Sequence, residues 1–144
     1  MLGSMPGAES LRQGRYYAHP QNAFWPILGE LLGLPSDADY ATATKSLRAN
    51  GIALWDVLQH CERQGSLDSD IDPQSIVVND FARFFAQHPA IRVVFCNGAT
   101  AHSLYLRRVV PTLRGSAAQL PVVRLPSTSP AHASLRRTAK VAAW

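Results

Sequence analysis

The sequence predicts an α/β domain organised on a parallel sheet, and two strand-turn-helix units predict it. Ile91 to Cys96 (IRVVFC) is a β-branched run that breaks at Asn97-Gly98 into a helical stretch from Ala99 to Val110. Pro121 to Leu125 (PVVRL) repeats the pattern, breaking at Pro126-Ser127-Thr128-Ser129-Pro130 before a helix from Ala131 onward. There Ser129 suits the N-cap and Pro130 the first helical position. Strands that alternate with helices imply a parallel sheet covered on both faces, with ligands beyond the carboxyl ends of its strands.

The other elements follow in chain order. Only Met1 and Leu2 precede the loop at Gly3, whereas a parallel-sheet strand needs about five residues, so strand one is expected to be truncated. Phe24 to Gly33 (FWPILGELLG) carries apolar residues on a helical period and closes on Gly33 as a C-cap. Ala38 to Asn50 reads as a second helix ended by Asn50-Gly51, and Ile52 to Leu58 (IALWDVL) as a buried strand. A polar loop is expected from Glu62 to Pro73, then a short helix capped by Asn79 with Phe81, Phe84 and Phe85 turned inward. Gly115 to Gln119 reads as a surface connection, and the last helix is still running at Trp144.

With 47% apolar and 17% charged residues, the 144-residue chain has the composition of one soluble globular domain without repeats or linkers. It contains no apolar stretch of about 18 residues and opens without a basic and apolar leader, so a cytoplasmic location with no membrane partner is expected. Cys61 and Cys96 lack the spacing and companions of a metal or cluster site; Cys96 reads as a small buried residue. The charge is lopsided. All ten acidic residues lie at or before Asp80, and nine Lys and Arg residues follow without a single acid. Such a half is an electrostatic footprint for a polyanion, or else a solvated basic face.

The candidate chemistry sits near the start, where Gly3-Ser4-Met5-Pro6-Gly7 precedes Tyr16-Tyr17-Ala18-His19-Pro20-Gln21-Asn22-Ala23-Phe24-Trp25. A small-residue loop beside aromatics, a histidine and an asparagine suits a planar ligand. Tyr16 or Tyr17 is the expected stacking wall, with Phe24 and Trp25 either further walls or core anchors of their helix. Ser127, Thr128 and Ser129 offer hydroxyls and amides at an expected helix N-terminus, either as an anion site or as a simple cap. Asn97 either lines the pocket or only makes its turn. His19 and His132 are candidate donors, or respectively a loop-bonded and a surface histidine.

The segments GSMPGAESL (Gly3 to Leu11), YYAHPQNAFW (Tyr16 to Trp25), ALWDVLQHCERQGSLDSDI (Ala53 to Ile71), LPSTSPAHA (Leu125 to Ala133) and the FCNG turn resemble the uracil-DNA glycosylase superfamily. The resemblance is greatest to its hypoxanthine-DNA (deoxyinosine) glycosylase branch. It implies a three-layer α/β/α sandwich with a four-stranded parallel sheet. It further implies a monofunctional monomer that flips a deaminated base out of DNA and hydrolyses its N-glycosidic bond without cofactor or metal. In members with GQDPY or GxNPG loops the third residue orients water; here it is Met5, left as a wall of the base pocket, and Asn22 is the implied catalytic residue. Leu125 stands where other branches place a histidine or asparagine, which makes His132 the candidate leaving-group donor. Asp56 stands where the LLNAV segment offers a base-binding asparagine. A carboxylate there can accept from a purine N1-H while a backbone amide serves O6; the alternative is a capping aspartate. Gly3, Ser4, Pro6, Gly7, His19 and Asn97 complete the candidate pocket, and Ser127, Thr128 and Ser129 the phosphate contact. Two other readings stay open: a mismatch-specific uracil/thymine-DNA glycosylase, and a noncatalytic nucleic-acid-binding member. The basic residues Arg107, Arg108, Arg114, Arg124, Arg136, Arg137 and Lys140 are expected to divide between phosphate attraction and solvent.

Overall fold

The computed structural model describes residues 1–132 and 134–144. Its centre is a four-stranded parallel sheet formed by β1 (Leu2–Gly3), β2 (Trp55–Asp56), β5 (Val94–Asn97) and β6 (Val122–Leu125), in the order β2-β1-β5-β6. The register pairs Gly3 with Asp56, Leu2 with Cys96, and Asn97 with Leu125. Asp56, Gly3, Asn97 and Leu125 therefore form one row across the carboxyl edge of the sheet.

Helices cover both faces, as the alternating pattern predicts. On one side Phe81 and Phe85 of α4 (Phe81–Gln87) and Ala101 and Leu104 of α5 (Ala99–Leu104) pack with Leu2, Val57, Val94 and Cys96. On the other, Phe24 and Leu28 of α2 (Phe24–Leu32) join Leu47 of α3 (Tyr40–Ala49), with Ile52, Leu54 and Trp144 against them. This is a three-layer α/β/α arrangement. The helix stops follow ordinary chemistry: Gly33 ends α2 in the left-handed region at φ 65°, and the Asp39 carboxylate caps α3 by accepting from Thr42 N at 2.7 Å.

Several boundaries differ from expectation for identifiable reasons. The expected strand from Ile52 to Leu58 contributes only Trp55–Asp56 to the main sheet; beyond it Val57 N and Leu58 N bond to the Gly3 and Ser4 carbonyls, and the chain follows the first loop. It continues as β3 (Leu58–His60), antiparallel to β4 (Val77–Val78), a small second sheet that the polar composition concealed. Asn79 does not cap α4. Asp80 does so, accepting from Arg83 N, while Asn79 Nδ2 donates to the Asp56 carbonyl at 2.9 Å. The stretch from Ala99 to Val110 is helical, yet only through Leu104 in α form; it widens into a π-helical turn at Tyr105–Val109 that buries both Tyr105 and Val109. A short helix α1 (Ala8–Gln13), not anticipated, follows the glycine loop.

The expected helix from Ala131 begins later, as α6 (Arg137–Ala143). Ser129 Oγ accepts from Ala131 N at 3.2 Å and closes a local turn in place of a helix cap. Ala133, the last residue of the LPSTSPAHA segment, lies outside the described residues.

Candidate active site

A pocket of about 600 Å³ opens beyond the carboxyl ends of the strands, where a parallel sheet places its ligands. Every residue of the candidate pocket and phosphate contact lines it, whereas Phe24 and Trp25, the further candidate walls, do not. A larger cavity of about 890 Å³ lies elsewhere, walled by apolar residues such as Leu28, Ile52, Phe84 and Phe95, and contains none of them. The chemistry therefore belongs to the smaller space.

Asp56 forms the floor. It ends β2, is only 5% exposed, and faces Gly3 so closely that a Cβ on Gly3 would overlap its Oδ1 and press on the Tyr17 hydroxyl. Burial pushes its carboxyl up to about 7, as does the Asp68 charge, against the opposing effects of a Tyr16 hydrogen bond and the Arg63 charge. Because this value is raised above the ordinary 3.8, Asp56 favours the fold in its neutral form. Its contribution is complete below about pH 4 and is lost as pH rises through 7. Stability should fall by a few kcal/mol over that window, and melting temperatures of Asp56→Asn across pH should lose that part of the slope; an unchanged slope would contradict the assignment.

The two tyrosines have distinct positions. Tyr16 faces Asp56, and burial together with that charge raises its phenol above the ordinary range. Tyr17 is the one described non-glycine residue at positive φ, 53°, and its ring lies stacked on Phe24 at 3.9 Å. That face is therefore already occupied. The Tyr17 hydroxyl is buried without a hydrogen-bond partner among the described residues, beside Gly3. Left-handed backbone at a bulky residue is a strained conformation that surrounding contacts must hold, and such strain collects at functional sites. Phe24 is fully buried, and Trp25 packs edge-on against it with Nε1 donating to the Tyr16 carbonyl at 2.8 Å. Both anchor the helix and set the tyrosine loop.

Asn22 stands two residues before α2. Its Oδ1 accepts from Phe24 N at 3.0 Å, which fixes the amide plane, while Nδ2 has no partner among the described residues. His19 Nδ1 accepts from Gln21 N at 3.2 Å, so the neutral ring carries its proton on Nε2. His132 is exposed at the pocket rim in a turn, not on the expected helix. Met5 lines the pocket and packs against the larger core cluster.

The expected anion site lacks its helix. Thr128 is 1% exposed and exchanges two hydrogen bonds with Asn97: Asn97 Nδ2 donates to its hydroxyl at 2.8 Å, and its backbone N–H donates to Asn97 Oδ1 at 2.9 Å. Thr128 is thus a strut between the loops after β5 and β6. Ser127 lies against Gly98, whose φ of 99° and close contact with the serine exclude a side chain there. Ser127 Oγ accepts from Ser129 N, and both serines remain half-buried at the rim. Of the basic residues, Arg137 pairs with Glu30, and Lys140 is buried with Nζ donating to the His132 carbonyl at 2.9 Å. Lys140 therefore supports the rim and faces neither phosphate nor solvent.

Two pocket-lining residues, Ser66 and Asp68, and Arg63 beside Asp68 escaped the sequence reading; all lie in the loop between β3 and β4. Ser4 Oγ donates to both Asp68 oxygens, Arg63 donates to the Pro6 carbonyl, and Ser66 Oγ accepts from Ala8 N. Their charged and small residue types show only a polar loop, since their partners lie more than fifty positions away. Among the described residues, no group of three or more His, Cys, Asp or Glu could hold a metal ion, and no helix is long and apolar enough to cross a membrane.

The chain is similar to known proteins in sequence and in fold. The model of the uracil DNA glycosylase superfamily matches residues 1–144. A protein named hypoxanthine DNA glycosylase from Methanosarcina acetivorans is 38% identical over 133 residues, 92% of this chain and 78% of that one. One of the same name from Methanosarcina barkeri is 36% identical over 99 residues, 68% of this chain and 61% of that one. A solution NMR structure from Methanosarcina acetivorans, provisionally assigned as a uracil DNA glycosylase, superposes with a TM-score of 0.76 at 36% identity, covering 98% of this chain and 84% of that chain. With the family model matched from end to end and the fold superposing on that structure, the chain belongs to the uracil DNA glycosylase superfamily, alongside the relatives that carry the hypoxanthine DNA glycosylase name.

Proposed function

We propose that this protein is a monofunctional DNA N-glycosylase that removes hypoxanthine from deoxyinosine-containing DNA, acting as a monomer in the cytoplasm. The observation that carries the reading is the buried Asp56 carboxyl in a pocket that Gly3, Gly7 and Gly98 also line. The pocket volume suits one flipped purine. Asp56 accepts from the purine N1-H, and backbone amide groups serve O6. Tyr16 and Met5 flank the ring, while Ser127 and Ser129 meet the backbone phosphates at the rim.

Hydrolysis forms a bond from water oxygen to C1′ as the C1′–N bond breaks and its electron pair leaves with the base. The sugar gains oxocarbenium character on the way, so the reaction needs an oriented water and a donor for the departing base. Asn22 Oδ1 keeps one lone pair beyond its bond to Phe24, and that lone pair accepts from the water. The proton that water gives up as it bonds to C1′ passes to solvent, and the departing base takes a proton from His132 at the rim, which solvent restores.

Incubating the protein with duplexes containing inosine, uracil, xanthine or ethenoadenine, then cleaving abasic sites with alkali, tests the assignment. Product should be greatest with inosine. Preference for uracil or mismatched thymine would favour the mismatch-specific reading, and no product on any duplex would leave a binding module. The acid-free half also predicts a salt response: with roughly four phosphates neutralised, affinity for duplex should fall about 100-fold between 50 and 200 mM salt. Fluorescence anisotropy showing a flat profile would contradict it.

A further inference from the structure

We propose that Arg63 and Asp68 are positioning residues for base excision, a latch that holds the Ser4–Gly7 loop in place over the pocket. The inference rests on the glycosylase reading above. Asp68 receives the Ser4 hydroxyl on both oxygens, at 2.8 and 2.9 Å. Arg63, whose side chain is 6% exposed, contacts Asp68 at 3.5 Å and donates to the Pro6 carbonyl at 2.7 Å. Ser66 accepts from Ala8 N at 3.0 Å and sits beside Gly7. The loop is thereby gripped at Ser4, Pro6 and Ala8 by one short segment.

That segment is itself braced. Arg63 forms a β-bridge with Ile71, and Asp72 N donates to the Glu62 carbonyl at 2.9 Å. Burying a guanidinium is unfavourable unless its partners are well placed, and here they are one carboxylate and one loop carbonyl. A loop that only connected β3 to β4 would not need a buried arginine directed at Pro6. The held loop carries Met5 into the pocket wall and begins at Gly3, which abuts Asp56. A shift of the loop therefore moves both the wall beside the base and the backbone over the floor. Asp68 also lines the pocket, but both its oxygens are engaged by Ser4, so it acts through the loop.

The test measures single-turnover excision from an inosine duplex, affinity for a duplex holding a stable abasic analogue, and amide hydrogen exchange. Asp68→Ala and Arg63→Lys should slow excision by about 10- to 100-fold, because misplacement of about an ångström has that scale of effect. An ammonium keeps the charge yet cannot span Asp68 and the Pro6 carbonyl together. Affinity should stay within about threefold of wild type, the split expected of a lost transition-state arrangement. Exchange should quicken at residues 4–8 and not in the sheet. Asp68→Asn should recover part of the rate, since it still accepts from Ser4. Ser4→Ala, which removes only a hydroxyl, should slow excision less, and Ser4→Ala/Asp68→Ala should be no slower than Asp68→Ala alone.

Variants that excise at the wild-type rate, or unchanged exchange at residues 4–8, would overturn the latch. So would a rate loss accompanied by faster exchange throughout the sheet, which marks a merely structural role. An inactive wild-type protein would instead overturn the glycosylase reading, and loop exchange would still judge the latch as a structural device.

Discussion

Asn22→Ala is expected to lower single-turnover excision of hypoxanthine by about 100- to 1000-fold, the scale at which loss of one preorganised polar contact acts. The reason is local. Asn22 Oδ1 is already aimed by its bond to Phe24 N, and Met5 offers no polar group in the preceding loop. In the proposed mechanism, removing the amide leaves the attacking water without its acceptor. Stability should change much less, by about 1 kcal/mol for the lost bond at the start of α2. Rate and melting temperature together separate the roles: a large rate loss with a small melting shift supports catalysis. A variant that remains fully active would refute the role of Asn22.

Gly3→Ala should have the largest effect on stability. The new methyl would overlap the Asp56 carboxyl and press on the Tyr17 hydroxyl, both buried, the tyrosine ring being held by its stacking on Phe24. Overpacking of this kind costs about 1–3 kcal/mol, and here the displaced atoms are also the floor of the pocket. Excision should be lost even where the protein still folds. Adding Asp56→Ala to Gly3→Ala should return much of the melting temperature and none of the hypoxanthine preference. If Gly3→Ala alone melts and cuts as wild type does, the close packing of loop and floor is not a feature of the working protein.

The parts of the molecule that could be read from sequence are those governed by neighbours in the chain. The β-branched run before Asn97-Gly98 becomes β5 followed by α5, and Gly33 ends α2 because a glycine satisfies the left-handed cap. The pocket was legible for the same reason, since Gly3 to Gly7 and Tyr16 to Asn22 are nearly contiguous. What stayed hidden depends on distant partners. Ser4 and Asp68 are 64 positions apart, and Arg63 and Pro6 57, so no local pattern announces either contact. The β3–β4 pair was concealed because its residues are short and half exposed, without the apolar alternation that marks a longer strand. After Pro130 the serine-rich turn bonds to its own backbone, and that local alternative delays the helix until Arg137. Of the three hydroxyl residues there, Thr128 serves as a strut, because Asn97 and Thr128 satisfy one another.

The central claim is that a flipped hypoxanthine is read by Asp56 and released by hydrolysis. Chromatographic detection of the free base after single-turnover incubation with an inosine duplex tests it most directly, with Asp56→Ala alongside. The account predicts free hypoxanthine in step with abasic sites for the wild-type protein, and a loss of preference for inosine over uracil in the variant. Release of uracil but not hypoxanthine by the wild type, or an unchanged preference in Asp56→Ala, would contradict it.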